Sequence, residues 1–260
     1  MGKKLVNSLK NAFAMYSRLP VPGPEWTEEN ISYTMCFFPW VGAVIGIVTW
    51  AVFLLKGWSK AQGFAFGGLF FTILFVLIPL FITGGIHMDG FMDTTDALSS
   101  YQSKDQRLAI LKDPHIGAFA AIALGMYLLA DAALYSAVTS RSMVVICLGF
   151  CLSRTLSAWS VIAFPKARQD GFAAELAKAS GRGTRPVLVV YLVLLTLAML
   201  MAGGIPGLVS LLAAGFWFLY YRWMSVRRFG GITGDLAGYF LQGCELFICA
   251  AAVITDVLIR

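Results

Sequence analysis

Long apolar runs alternate along the chain with short polar or glycine-rich segments, and seven of them approach the ~20 residues a helix needs to cross a bilayer. They cover 35–55, 61–82, 116–139, 142–164, 186–203, 205–221 and 236–258. Only Gly203, Gly204, Ile205, Pro206 and Gly207 separate the fifth run from the sixth, so residues 186–221 read either as two short spans or as one re-entrant hairpin. The first twenty residues have no apolar core of the kind a cleavable signal carries. They place Leu5, Leu9, Phe13 and Tyr16 on one helical face, with Lys3, Lys4, Lys10 and Asn11 elsewhere. That pattern predicts a helix lying on an anionic membrane surface, a disordered basic tail being the alternative.

Composition agrees with this pattern. Of 260 residues, 58% are hydrophobic and 13% charged, and the mean hydropathy is +0.75. Soluble domains carry roughly 25% charged residues. The expected fold is all-α: a polytopic helical membrane bundle of about seven spans, forming one domain over 1–260 with an N-terminal interfacial segment at 1–34. The net charge of +6 is not a nucleic-acid footprint, because no basic cluster with interleaved aromatics accompanies it. It follows topology instead. Fifteen Lys and Arg fall in the segments on the N-terminal side of the predicted bilayer and four on the other, with Arg154 left inside a span. The N-terminus and the long polar loops are therefore expected in the cytoplasm, and a hairpin at 186–221 would leave that orientation unchanged. The five cysteines all lie inside apolar runs without a Cys-x-x-Cys pair and read as small buried hydrophobes.

The densest polar signal follows the second span: Thr83-Gly84-Gly85-Ile86-His87-Met88-Asp89-Gly90-Phe91-Met92-Asp93-Thr94-Thr95-Asp96-Ala97. Asp89, Asp93 and Asp96 are spaced i, i+4 and i+7, which stacks three carboxylates along one helix face. Such a stripe beside an apolar span is costly unless a cation compensates. Mg²⁺, which keeps waters and is commonly completed by phosphate oxygens, suits it and points to phosphoryl or pyrophosphate chemistry. A solvated loop face is the plainer reading, but Ile86, Met88, Phe91 and Met92 flank the acids with apolar bulk. Gly84 and Gly85 permit an unusual chain exit, and Gly90 a close backbone approach. His87 is open as ligand, base or hydrogen-bond donor.

Three further segments lead into helix starts on the same side: Lys112-Asp113-Pro114-His115-Ile116-Gly117, Gly181-Arg182-Gly183-Thr184-Arg185-Pro186 and Gly230-Gly231-Ile232-Thr233-Gly234-Asp235. Helix N-termini with nearby glycine favour phosphate, though such loops also serve as plain connectors. Asp113 and Asp235 are open as caps, metal ligands or both. Arg154 and Glu245 are each about 15 Å deep at ~1.5 Å per residue, so an ion pair and a substrate contact are equal readings. Asp131 lies deeper, with no evident partner.

The stretch from Gly84 to Asp96 resembles the signature Gly-Gly-x-His-x-Asp-Gly-x-x-Asp-x-x-Asp of the cobalamin synthase family, the adenosylcobinamide-GDP ribazoletransferases. Further matches run in order: Tyr16-Ser17-Arg18-Leu19-Pro20-Val21-Pro22, Phe37-Phe38-Pro39-Trp40-Val41-Gly42, Lys112-Asp113, Ile116-Gly117, Leu152-Ser153-Arg154 and Gly231-Ile232-Thr233-Gly234-Asp235. Ala97 stands where many members carry Gly, and Pro114-His115 where Ser-Arg is common. The resemblance implies a transferase whose cytoplasmic catalytic segment is 84–115, in the cytoplasmic membrane of a prokaryote. Its substrates would be adenosylcobinamide-GDP and α-ribazole or α-ribazole 5′-phosphate, its cofactor Mg²⁺, and its products GMP and adenosylcobalamin or the 5′-phosphate. A corrinoid, bulky and amphipathic at its rim, suits a site at the membrane boundary. The implied roles are Asp89, Asp93 and Asp96 for the metal, and His87 with these three for catalysis. Arg18, Lys112, Arg154, Asp235 and Glu245 would serve substrate binding or its support. The lipid bilayer is the expected surrounding, nucleic acid is not an expected partner, and a homo-oligomer and association with other cobalamin-pathway enzymes are left open.

Two other classes fit less. A CDP-alcohol transferase wants Asp-Gly-x-x-Ala-Arg, and Asp93 occupies the alanine position. A proton-coupled transporter would use Asp131, Arg154 and Glu245 but leaves the aspartate stripe without a purpose.

Overall fold

The computed structural model describes residues 2–64 and 66–260. Met1 and Ala65, which fall within the predicted N-terminal segment and second span, lie outside the described residues. Twelve helices follow one another among the described residues: α1 (Gly2–Tyr16), α2 (Glu28–Ile31), α3 (Thr34–Ala61), α4 (Gly68–Thr83), α5 (Ile86–Ser99), α6 (Lys104–Ile110), α7 (Ala118–Ser136), α8 (Ser140–Ala163), α9 (Phe172–Ala179), α10 (Thr184–Gly203), α11 (Ile205–Phe229) and α12 (Gly234–Leu258). No strand occurs among them; a single bridge joins Lys166 to Ile232.

Helices α3, α7, α8, α10, α11 and α12 are each long and apolar enough to cross a membrane. With 20 and 25 residues, α10 and α11 are each long and apolar enough to cross a membrane, in keeping with the two-span reading of 186–221. Helix α11 continues to Phe229, past Arg222, Arg227 and Arg228, where a hydropathy criterion stops at the first charge. The second predicted span shortens to the 16 residues of α4, because residues 62–64, 66 and 67 lie outside any helix.

Packing is graded from centre to rim. Helix α8 is the most enclosed, with α3 and α12 against it. Gly42 and Gly46 let α3 close on α8, where a Cβ at Gly46 would stand 2.7 Å from the Cys147 carbonyl oxygen. Large side chains such as Ile47, Leu54, Leu69, Phe81, Ile122, Leu129, Val190, Leu212 and Phe216 point outward, as a lipid-facing belt requires.

Helix α1 forms where predicted, with a different inner face. It turns Asn7, Ser8, Asn11 and Ala12 inward, because these small or amide side chains have partners there. Asn7 Nδ2 donates to Glu25 Oε2 (2.9 Å), Ser8 Oγ to the Asn30 carbonyl (2.6 Å) and Asn11 Nδ2 to the Glu25 carbonyl (2.9 Å). Leu5 and Leu9 are half-buried and Val6 is exposed. Tyr16 leaves the outer stripe altogether: its ring packs on Phe38, centroids 4.1 Å apart, and faces His87 at 6.1 Å.

Candidate active site

Helices α4 and α5 meet at 95°. Two consecutive left-handed glycines make the corner, Gly84 at φ +67° and Gly85 at φ +80°, a pair of conformations other residues adopt only with strain. Helix α5 turns away from the axis of α4 and crosses the N-terminal end of α12. The crossing is close: a Cβ at Gly90 would stand 2.7 Å from the Asp235 carbonyl oxygen, and one at Gly238 would stand 2.9 Å from that of His87. Two bare backbones in contact bring the carboxylates of α5 against Asp235, from a helix that begins 145 residues further along the chain than Asp89.

The crossing forms one wall of a cavity of about 370 Å³. His87 and Asp89 enter from α5, Thr233, Gly234 and Asp235 from the start of α12, Lys112 from the turn after α6, and Arg168 from the loop after α8. Arg168 is held there on two sides. The Ile232 amide donates to the Pro165 carbonyl (2.9 Å) and the Ala167 amide to the Ile232 carbonyl (3.0 Å), fastening the 165–168 loop to the start of α12. The Arg168 guanidinium donates to the Leu108 carbonyl of α6. Arg168 and the cavity-lining Phe172 were missed in the sequence, because an isolated loop residue and the first residue of a short helix carry no periodicity of their own.

Acids and cations share this cavity: Asp89 and Asp235 line it together with Lys112 and Arg168, and the Arg168 charge reaches Asp235. Burial, then the negative charges of Asp89, Asp235 and Asp96, push Asp93 up to about 6. Burial, with the Arg154 guanidinium second, holds His87 down at about 3, so its imidazole is neutral at pH 7. His87 is 6% exposed and its Nε2 has no partner. A base with so low a proton affinity is inefficient near neutrality, which argues against the general-base reading of His87 and for a hydrogen-bonding one.

Several predicted residues fall elsewhere. Asp96 turns from the stripe to the start of α7, accepting from the Gly117 amide (2.6 Å) and the Ala120 amide (2.9 Å). The anion at that helix N-terminus is thus the protein's own carboxylate, in a capping role the spacing did not reveal. Asp113 caps no helix: it accepts from the His115 amide (3.0 Å) and faces the exposed His115 ring, whose hydrogen bonds lower its pKa. The Gly181–Pro186 loop docks on Ser32 and Tyr33, away from the cavity. Arg18 lies over Gly84 at the corner, its amide donating to the Ile82 carbonyl (2.8 Å), and does not line the cavity.

Arg154 and Glu245 find each other inside the bundle, Nη1 to Oε1 at 2.5 Å, with Ser153 Oγ donating to the same oxygen at 2.9 Å. Neither lines the 370 Å³ cavity, so the substrate-contact reading of both gives way to an ion pair. Arg154 is fully buried and keeps Nε and Nη2 unpartnered. Asp131 and Gln242 share a separate cavity of about 20 Å³ with Glu245, room for roughly one water.

The sequence pattern of the cobalamin-5-phosphate synthases matches residues 8–253. The chain belongs to this family. It is 43% identical to the adenosylcobinamide-GDP ribazoletransferase of Lachnoclostridium phytofermentans over 97% of its own length and 95% of the relative's. Enzymes of the same name from Desulfitobacterium hafniense (33% identical, 93% and 94% covered) and Roseiflexus sp. (31%, 91% and 85%) are also similar. No solved structure matches it significantly.

For this cobalamin-5-phosphate synthase family member the remaining question is whether the acids suit a metal. Among the described residues no three His, Cys, Asp or Glu side chains converge tightly enough to enclose an ion, so the predicted Asp89, Asp93 and Asp96 set is not a closed cage. Asp89 and Asp235 line the cavity, and Asp93 lies near both without lining it, an open oxygen-only set whose mutual repulsion is visible in Asp93. Mg²⁺ needs only one or two carboxylates beside waters and substrate phosphate. The donor set fits that ion.

Proposed function

We propose that this chain joins α-ribazole, or its 5′-phosphate, to adenosylcobinamide-GDP and releases GMP. It is a transferase of cobalamin biosynthesis, embedded in a membrane by multiple apolar helices. The observation that carries the reading is one cavity lined by two carboxylates, Asp89 and Asp235, and two cations, Lys112 and Arg168. Such a lining suits a diphosphate with its metal ion.

In this reading Asp89, Asp93 and Asp235 hold Mg²⁺, and Asp96 supports them by fixing α7 against α5. When bound, the ion neutralises charge on the diphosphate and polarises its phosphorus. Lys112 and Arg168 bind the diphosphate oxygens, Arg168 with the planar fork that suits them. The acceptor ribose hydroxyl attacks the phosphorus nearer the corrinoid arm. Its bond to oxygen forms as the bond to the bridging oxygen breaks; GMP carries off that oxygen and the hydroxyl proton passes to a carboxylate. The neutral His87 orients substrate by hydrogen bonding, and Tyr16 and Phe38 fix its ring.

The excess of Lys and Arg in the segments on the N-terminal side of the spans supports a cytoplasmic opening of the cavity by the positive-inside rule. The bacterial origin of the family's relatives supports the cytoplasmic membrane as the location. Purified protein given adenosylcobinamide-GDP and α-ribazole 5′-phosphate should release GMP with Mg²⁺ and not with EDTA. GMP release that is indifferent to EDTA removes the metal; no release from folded protein with either acceptor removes the reaction.

A further inference from the structure

The cavity just described is too small for the whole donor. Small-molecule sites range over roughly 300–1,000 Å³, and at about 370 Å³ this one suits a diphosphate with a nucleoside. The corrin macrocycle with its amide arms is bulkier than the nucleoside and is tethered to the reacting phosphate by a short arm. It must therefore lie directly beside the cavity.

A second and larger hollow lies there. Between α9 and the α1–α2 segment runs a groove of about 830 Å³ with an apolar lining of Met15, Trp26, Ile31, Phe172 and Leu176. Phe172, 49% exposed, lines the groove and the charged cavity alike, so the two hollows meet at its ring. Met15 faces the groove while its neighbour Tyr16 faces the cavity.

Charge also selects the occupant. Glu29, Glu175 and Lys178 edge the groove. Lys178 turns aside to donate to the Gln169 carbonyl (3.2 Å), and Glu29 reaches Lys4 only at 3.7 Å. Glu175 has no ion pair among the described residues. An alkylated cobalt(III) corrin carries one net positive charge above a broad apolar face, and its amides need polar partners at the edge. The groove offers an aromatic and aliphatic floor, an acidic edge and an opening onto the phosphate site.

We propose that this groove binds the corrin macrocycle of the donor, with Phe172 marking where the arm passes into the catalytic cavity. The assignment rests on the proposed reaction. Its test is steady-state kinetics of the full-length protein, with cobinamide lacking the GDP group as inhibitor.

Ala179→Phe narrows the groove without touching the charged cavity, and Trp26→Ala removes an exposed wall without disturbing the core. Each should raise KM for adenosylcobinamide-GDP about tenfold or more, consistent with losing one good aromatic contact. Each should weaken competitive inhibition by cobinamide by the same factor. KM for α-ribazole 5′-phosphate and inhibition by GDP should not change, which also shows that the variants fold.

An unchanged donor KM in both variants overturns the proposal, as does a change confined to the acceptor KM. Failure of the reaction reads differently: the wild type then releases no GMP. In that case equilibrium dialysis with cobinamide decides the groove by itself: binding weakened in both variants supports the assignment, and binding equal to wild type overturns it.

Discussion

Gly90 of α5 lies so close to Asp235 of α12 that a Cβ there would stand 2.7 Å from the Asp235 carbonyl oxygen. Backbone on the far side cannot yield as a flexible side chain would, so Gly90→Ala must push the two helices apart. The carboxylates of Asp89 and Asp235 then separate. A displacement near 1 Å at a reacting centre costs on the order of 100-fold in rate. We expect Gly90→Ala to insert and fold but lose about that factor in GMP release, measured at saturating Mg²⁺.

Asp93→Asn should separate stability from activity. The raised proton affinity of Asp93 means its ionised form opposes the fold above about pH 6, and the opposition vanishes below the ordinary carboxylate range near 3.8. A two-unit shift corresponds to ~3 kcal/mol, but Asp93 is half-exposed and solvent screening reduces this to about 1 kcal/mol. In EDTA at pH 8 the variant should melt ~2–4 °C above wild type, with the difference fading toward pH 4. Turnover should be lost throughout. A variant that is both active and no more stable would remove the electrostatic account of this cluster.

Asp96→Ala takes the carboxylate from the Gly117 and Ala120 amides. Loss of a cap costs ~1–2 kcal/mol. The expected result is a lower melting temperature with the half-saturating Mg²⁺ concentration unchanged; a large rise in that concentration would return Asp96 to the metal site.

Glu245→Gln leaves the buried Arg154 without its counter-charge, a change that typically costs 3–5 kcal/mol. We expect little folded protein from it or from Arg154→Gln. The charge-swapped pair Arg154→Glu with Glu245→Arg should recover folding. Folding in both single variants, read by size-exclusion chromatography and melting in detergent, would show that the pair is dispensable.

Much of this was legible in the chain. Apolar run length sets the membrane class, and the sidedness of Lys and Arg sets the orientation expected. Gly84-Gly85 announces the corner before α5, and Gly90 the close crossing, because both depend on backbone sterics local to those residues. The depth of Arg154 and Glu245 made an ion pair foreseeable. The inner face of α1 was not foreseeable from hydropathy, since Asn7, Ser8 and Asn11 are buried by partners at Glu25 and Asn30.

By itself the sequence determined a helical membrane protein carrying an aspartate stripe after its second span, for spacing along one helix is a local property. Which carboxylates serve together was decided by tertiary structure. The α5–α12 crossing adds Asp235 to Asp89 and Asp93, α7 claims Asp96 for its own amides, and the Lys166–Ile232 bridge brings Arg168 into the cavity beside Asp235. Each of these depends on where distant backbone groups stand in space, and no spacing along the chain carries that information.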